Sequence, residues 1–171
     1  LSSFLQLCQF HRCLLTDPVR EAAGKCFEQV HAHEGTLWLL DDAREFLVPV
    51  WNSGPRAADF VGTFRQPLDA GLISLACITE QPICENQVCL NERQDPTLDR
   101  RLGLRTWSMI AVPLVFNEAL RGIVSCVKLG QNANLDEAPA PFLPGDLRQV
   151  EQLSERLNQL IGGESREEFA G

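Results

Sequence analysis

Residues 107–129 read WSMIAVPLVFNEALRGIVSCVKL: two apolar stretches, Trp107 to Phe116 and Leu120 to Leu129, separated by Asn117-Glu118-Ala119. Both stretches are rich in β-branched side chains and the link between them is short and polar, which predicts an antiparallel hairpin. Neither is long enough to span a bilayer as a helix. Towards the N-terminus, Thr36 to Leu40 and Glu45 to Trp51 predict a second hairpin around Asp41-Asp42-Ala43-Arg44, closed off by the breaker string Asn52-Ser53-Gly54-Pro55. Phe60 to Arg65 predicts a third strand that ends at Pro67.

Helical periodicity brackets these strands. Leu1, Phe4, Leu5, Cys8 and Leu15 recur at helical steps, and Thr16-Asp17-Pro18 then predicts a fresh helix start with a capping side chain and a proline in the first turn. That second helix runs to about Ala32 and buries Val19, Ala22, Ala23, Cys26 and Val30, before Gly35 stops the pattern. Gly145 to Ile161 predicts a last helix with Leu147, Val150, Leu153, Leu157, Leu160 and Ile161 on one stripe. From Gly162 onward the chain reads as a polar tail or linker.

Between the hairpins lies an insert of different character. Leu72 to Thr79 predicts a short helix entered through Asp69-Ala70-Gly71, Gln81-Pro82 ends it, and Ile83 to Glu85 is a short extended piece. Residues 86–101 are polar and irregular, with one helical turn expected around Pro96 to Leu102. The fold class is therefore α+β. Terminal helices cover one face of an antiparallel sheet of about five to six strands, and the helical and irregular insert roofs the other. A sheet roofed in this way is a natural place for a small-molecule pocket.

The chain has 171 residues, of which 44% are hydrophobic and 22% charged, values of a single globular domain rather than a disordered segment. With 15 Lys+Arg against 23 Asp+Glu, a basic footprint for nucleic acid or an anionic membrane is not expected. No signal-peptide pattern opens the chain, and the expected setting is soluble and cytoplasmic. Leu1 is the first residue and Met109 the only methionine, which reads as a piece of a longer protein whose effector domain lies elsewhere in the parent chain. The domain itself is expected over 16–161, after a connecting helix over 1–15 and before the tail over 162–171.

The seven cysteines, at 8, 13, 26, 77, 84, 89 and 126, form no C-x-x-C pair, and His31 and His33 have no Cys-rich neighbour, so neither a metal site nor a full disulfide framework is expected. They read as reduced cysteines acting as small hydrophobes. Cys84 and Cys89 lie in a polar stretch where a ligand or redox role is the alternative.

The order of elements, together with particular strings, is similar to the GAF family of small-molecule sensor domains. The strings are Gly35-Thr-Leu-Trp-Leu-Leu-Asp41, Phe46-Leu-Val-Pro-Val-Trp51, Pro67-Leu-Asp-Ala-Gly71, Gln81-Pro-Ile-Cys84, Asp95-Pro96, Arg105-Thr-Trp-Ser-Met-Ile-Ala-Val-Pro-Leu114, Gly122-Ile-Val-Ser-Cys-Val127 and Phe142-Leu-Pro-Gly-Asp146. The resemblance implies a GAF/PAS-like sheet and a non-catalytic sensory or regulatory role in a larger signalling protein. It also implies a pocket between sheet and insert. Carried over residue by residue, Thr36, Trp51, Asn52, Leu72 and Ile73 would line that pocket, closed by Gln87 and Ser108, with Arg65 and Arg105 at its flank. Such a set suits a planar or modest-sized neutral ligand, although Trp51 or Trp107 could equally serve as core.

Members of the family bind cyclic nucleotides, bilins, haem or small metabolites, and one group reduces free methionine sulfoxide. Bilin-binding relatives carry Cys-His in the insert, where Cys89 is here followed by Leu90. The cyclic-nucleotide signature is broken, with Ala133 after Asn132 and Leu147 after Asp146. The reductase cysteines are absent from Gly71-Leu-Ile-Ser74 and Leu98-Asp-Arg-Arg101, leaving Cys84 and Cys89 at unmatched places. The cofactor is left open, and the implied partners are an unidentified small molecule and a second copy packed through the terminal helices. A ligand-free dimerisation module and a thiol-based reductase are the alternatives.

Overall fold

The longest strands are β5 (Thr106–Phe116) and β6 (Ala119–Leu129), paired antiparallel from Thr106 opposite Leu129 to Phe116 opposite Ala119. Asn117 and Glu118 both sit at positive φ, 51° and 60°, as the two-residue turn that matches strand twist requires. The computed structural model describes residues 14–130 and 135–167. The helix expected over 1–15 lies outside these except for Leu14 and Leu15, and Cys8 and Cys13 lie outside them as well.

β1 (Glu34–Leu40) joins the free edge of β6, β2 (Phe46–Asn52) joins β1, and β3 (Gln66–Pro67) and β4 (Ile83–Glu85) form the two edges. The strand order is β3-β2-β1-β6-β5-β4, antiparallel at every pair. This order explains the roof. Because β3 and β4 occupy opposite edges, the chain between them must cross the sheet, and it does so through α2 (Leu72–Thr79). It then returns to the interior strand β5 through a turn at Val88–Leu90 and α3 (Thr97–Leu102).

The opposite face is covered by α1 (Asp17–Gln29) and α4 (Pro144–Glu167), and the sheet divides the interior into two cores. Leu37 and Leu39 of β1 pack on the helical side with Val124 and Cys126 of β6, while Trp38 faces the insert with Ile123. Val150, Leu153, Leu157 and Ile161 of α4 are all buried there, each contributing about 1.5–3 kcal/mol of apolar burial. Gly122 sits where β6 passes β1 so closely that a Cβ would lie 1.8 Å from the Trp38 carbonyl oxygen, so only glycine fits.

Four expectations are corrected. Phe60 to Arg65 is not a strand: a single 3-10 turn over Ala57–Asp59 leads into it, and the Phe64 amide bonds to the Phe60 carbonyl at 2.9 Å. Phe60 and Phe64 thus share one side, four residues apart, and both are buried against the insert face. The first helix ends at Gln29 rather than Ala32, and His31 turns to positive φ. Thr16 stands at its N-cap position, but its side chain makes no capping bond. Finally, α4 continues past Ile161 through Gly162 and Gly163 to Glu167, despite a helix cost of about 1 kcal/mol per glycine.

Candidate functional site

Between the sheet and the insert is a partly open cavity of about 60 Å³. Its floor is built from adjacent cross-strand pairs of β1 and β6, Glu34 opposite Val127 and Thr36 opposite Ser125, with Trp38 one step further along. Residues two apart on a strand share a face, so the alternation that sends Leu37 and Leu39 to the helices aims Glu34, Thr36 and Trp38 into the cavity. Met109 of β5, Ile73 of α2 and Phe60 supply apolar walls, and Leu98, Asp99 and Leu102 of α3 close the top.

Hydrogen bonds hold this shape. The Trp38 indole Nε1 donates to Ser125 Oγ at 2.9 Å, and Asn52 Nδ2 donates to Thr36 Oγ1 at 2.9 Å. Asp99 accepts from both the amide and the hydroxyl of Thr106, at 2.6 and 2.9 Å, which ties α3 to the start of β5. Gln66 Nε2 donates to the Ala70 carbonyl at 2.8 Å and to Asp95 Oδ2 at 2.9 Å, pinning the entry of α2 against the segment before α3. Arg56 donates to the Leu102 carbonyl at 2.8 Å from outside.

The electrostatics are one-sided. Three carboxyl groups line the cavity, those of Glu34, Asp95 and Asp99, and no Lys, Arg or His does. Burial pushes the Glu34 carboxyl above its ordinary value, nearby Asp99 adds to this, and Arg56 opposes it. Burial likewise raises Asp99, against the two Thr106 hydrogen bonds and Arg105. Burial acts upward on Asp95 too, but hydrogen bonds from Thr97 and Gln66, with Arg100, outweigh it and hold that carboxyl below its ordinary value.

Of the residues picked from sequence, Thr36 and Ile73 line the cavity, Asn52 supports Thr36 from beside it, and Leu72 is buried in the core directly behind. Three lie elsewhere. Trp51 faces the helices, stacked on Phe27 with ring centroids 6.2 Å apart, because the β1/β2 register shifts at Leu37/Trp38 and leaves Val50 and Trp51 on the same side. Ser108 sits opposite Lys128, whose ammonium lies over the Phe142 ring on the helical side; a second register shift, at Thr106/Ser108, turns Thr106 and Met109 into the cavity in its place. Gln87 is exposed ahead of the Val88–Leu90 turn. Neither Arg65 nor Arg105 lines the cavity.

Glu34, Trp38, Asp99 and Ser125 were missed as site residues. The alternation through Thr36 extended one step either way finds Glu34 and Trp38, and pairing with β6 finds Ser125.

Cys84 and Cys89 are exposed and outside the cavity. Burial, with Asp146 and Glu85, pushes the Cys84 thiol up, and burial pushes Cys26 up to about 11. Cys84 and Cys26 are therefore not activated thiolates. Among the described residues no group of three or more His, Cys, Asp or Glu is arranged to hold a metal ion.

The family model described as "GAF domain" matches residues 3–161. No curated protein matches the chain. Among solved structures, the GAF domain of a phosphoenolpyruvate-protein phosphotransferase from Coxiella burnetii is similar at 19% identity and TM-score 0.69, over 99% of this chain and 98% of that one. The second GAF domain of DevS from Mycobacterium smegmatis matches at 16% identity and TM-score 0.66, over 89% and 96%. A free methionine-R-sulfoxide reductase from Neisseria meningitidis, solved with its substrate, matches at 19% identity and TM-score 0.65, over 94% and 88%. At these identities the likeness establishes the fold.

Proposed function

Since this chain belongs to the GAF domain family, we propose that it is a non-catalytic sensory or regulatory domain of a larger signalling protein, binding a small molecule between sheet and insert. The observation that carries this reading is the cavity with buried polar groups aimed into it, in a protein whose opposite sheet face packs into an apolar core. At about 60 Å³ the cavity is far below the roughly 300–1,000 Å³ of a drug-sized pocket. It therefore favours a ligand of a few heavy atoms over a cyclic nucleotide, bilin or haem.

The same strands offer a route outward. β1 and β6 carry the cavity floor on one face and Leu37, Leu39, Val124 and Cys126 against the helices on the other. A second link joins the insert directly to the lead-in of α4: Asn86 Nδ2 donates to the Phe142 carbonyl at 3.1 Å, and the Phe142 amide donates to Asn86 Oδ1 at 2.8 Å. A ligand that favours one arrangement of the roof would thus bias α4, one of the terminal helices of the proposed signalling route. The open groove between α1 and α4, lined by Ala22, Cys26, Gln149 and Leu153, supports pairing with a second copy through these helices. Free thiols at Cys26, Cys77, Cys84, Cys89 and Cys126 accord with a reducing, cytoplasmic setting.

Native mass spectrometry of the purified domain, with a thermal-shift screen of small metabolites, tests the reading. A co-purified or added small mass that raises Tm is expected. A domain that is dimeric, empty and indifferent to the whole screen would instead be a ligand-free dimerisation module.

A further inference from the structure

Resting on that reading of the cavity, we infer that its ligand is a small organic cation, a protonated amine held by the Glu34 carboxylate. Asp99 already accepts two hydrogen bonds from Thr106, and Asp95 accepts from Thr97 at one oxygen and Gln66 at the other. Glu34 differs. Its residue is 8% exposed, its side chain lines the cavity with Oε2 packed beside Gly54, and no hydrogen bond or ion pair reaches its carboxyl among the described residues. Arg56, the cation acting on it, is committed to Asp59 and the Leu102 carbonyl.

A carboxylate largely withdrawn from bulk water without a protein partner is disfavoured, and a ligand bringing the countercharge offsets that cost. The floor suits an ammonium group in particular. Thr36 and Ser125 stand directly opposite each other, two residues along from Glu34 and Val127, and their hydroxyl oxygens accept from Asn52 and Trp38. Each hydroxyl oxygen has a further acceptor lone pair, so three acceptors meet the three N–H donors of a primary ammonium. The rings of Trp38 and Phe60 in the same wall favour a cation again. The charged groups of the lining are all acidic, which opposes an anion, and among the described residues the carboxyls are not grouped to chelate a metal. The volume admits about four waters, hence a molecule of about four or five heavy atoms.

Ethanolamine is a matched probe, with ethylene glycol as its neutral and acetate as its anionic counterpart. Calorimetric titration of the wild-type domain is expected to show ethanolamine binding at least tenfold more tightly than ethylene glycol, with no binding of acetate. Glu34→Gln, which keeps size and shape, is expected to lose at least tenfold in ethanolamine affinity. Acetate or ethylene glycol binding as tightly as ethanolamine would overturn the cationic assignment and leave the cavity reading standing. Binding of none of the three would overturn both. Undiminished ethanolamine binding by a folded Glu34→Gln would remove Glu34 from the site.

Discussion

The Trp38 indole and the Ser125 hydroxyl share a buried 2.9 Å hydrogen bond across the two central strands β1 and β6. It stitches the sheet where the cavity meets β1 and β6, so it serves both the fold and the shape of the floor. Ser125→Ala leaves the buried indole N–H without a partner, and urea unfolding should show a loss of about 1–3 kcal/mol. Equal midpoints for Ser125→Ala and wild type would mean that the bond does not matter to the fold.

Glu34 and Asp99 set the pH response. Their folded-state values lie above the ordinary 4.5 and 3.8, so the native state binds more protons than the unfolded chain from those values upward. Their stabilising contribution is complete below the ordinary values and is lost as pH rises through the folded ones. Asp95 acts oppositely, its contribution lost as pH falls below 3.8 through its depressed value. Stability of the empty domain should therefore fall as pH rises above the ordinary carboxyl values and through the raised folded ones. Glu34→Gln should flatten that fall and gain about 1 kcal/mol at the upper end. An unchanged pH profile in the variant would contradict the placement of Glu34.

Two glycines give opposite expectations. Gly122→Ala would drive a Cβ to 1.8 Å from the Trp38 backbone oxygen, and neither strand can yield without breaking the pairing; the variant should fail to give a cooperative unfolding transition. Gly24→Ala, in α1 with open space around it, should raise stability by about 0.5–1 kcal/mol. Circular dichroism on thermal melting distinguishes the two outcomes.

Asn86 clamps the insert to the segment before α4 through two hydrogen bonds to Phe142. Asn86→Ala should cost about 1–3 kcal/mol, and it should speed amide hydrogen exchange in the first turns of α4 more than in α1. Equal acceleration in both helices would argue against a specific route from roof to α4.

The sequence was most legible where a local rule and the tertiary role agree. Leu72–Thr79 begins after Gly71, which holds φ at 93°, and ends before Gln81-Pro82, so both boundaries are written in the chain. Phe60 and Phe64 misled because two phenylalanines four apart in a short apolar run fit a helical turn as well as a strand, and only burial against the insert decides between them. The site was legible as far as simple alternation holds, which finds Thr36. Trp51 and Ser108 failed for one shared reason: each lies at a register irregularity beside the cavity, where one extra residue reverses the face. No single-sequence period marks such a bulge. No local pattern marks the carboxylates Glu34 and Asp99 as buried, because their burial is a product of the roof, which strand order creates.

The most direct test of the cavity as the ligand site is an NMR titration of the tryptophan indole N–H signals, assigned by single Trp→Phe variants. The titrant is a fragment set of up to about five heavy atoms that includes ethanolamine. Trp38 lines the cavity floor, whereas Trp51 stacks on Phe27 across the sheet and reports on the other face. The account predicts that a binding fragment shifts the Trp38 signal in a saturable manner and leaves Trp51 nearly still. Saturable shifts at Trp51 with Trp38 unmoved, or no saturable shift at either, would contradict it.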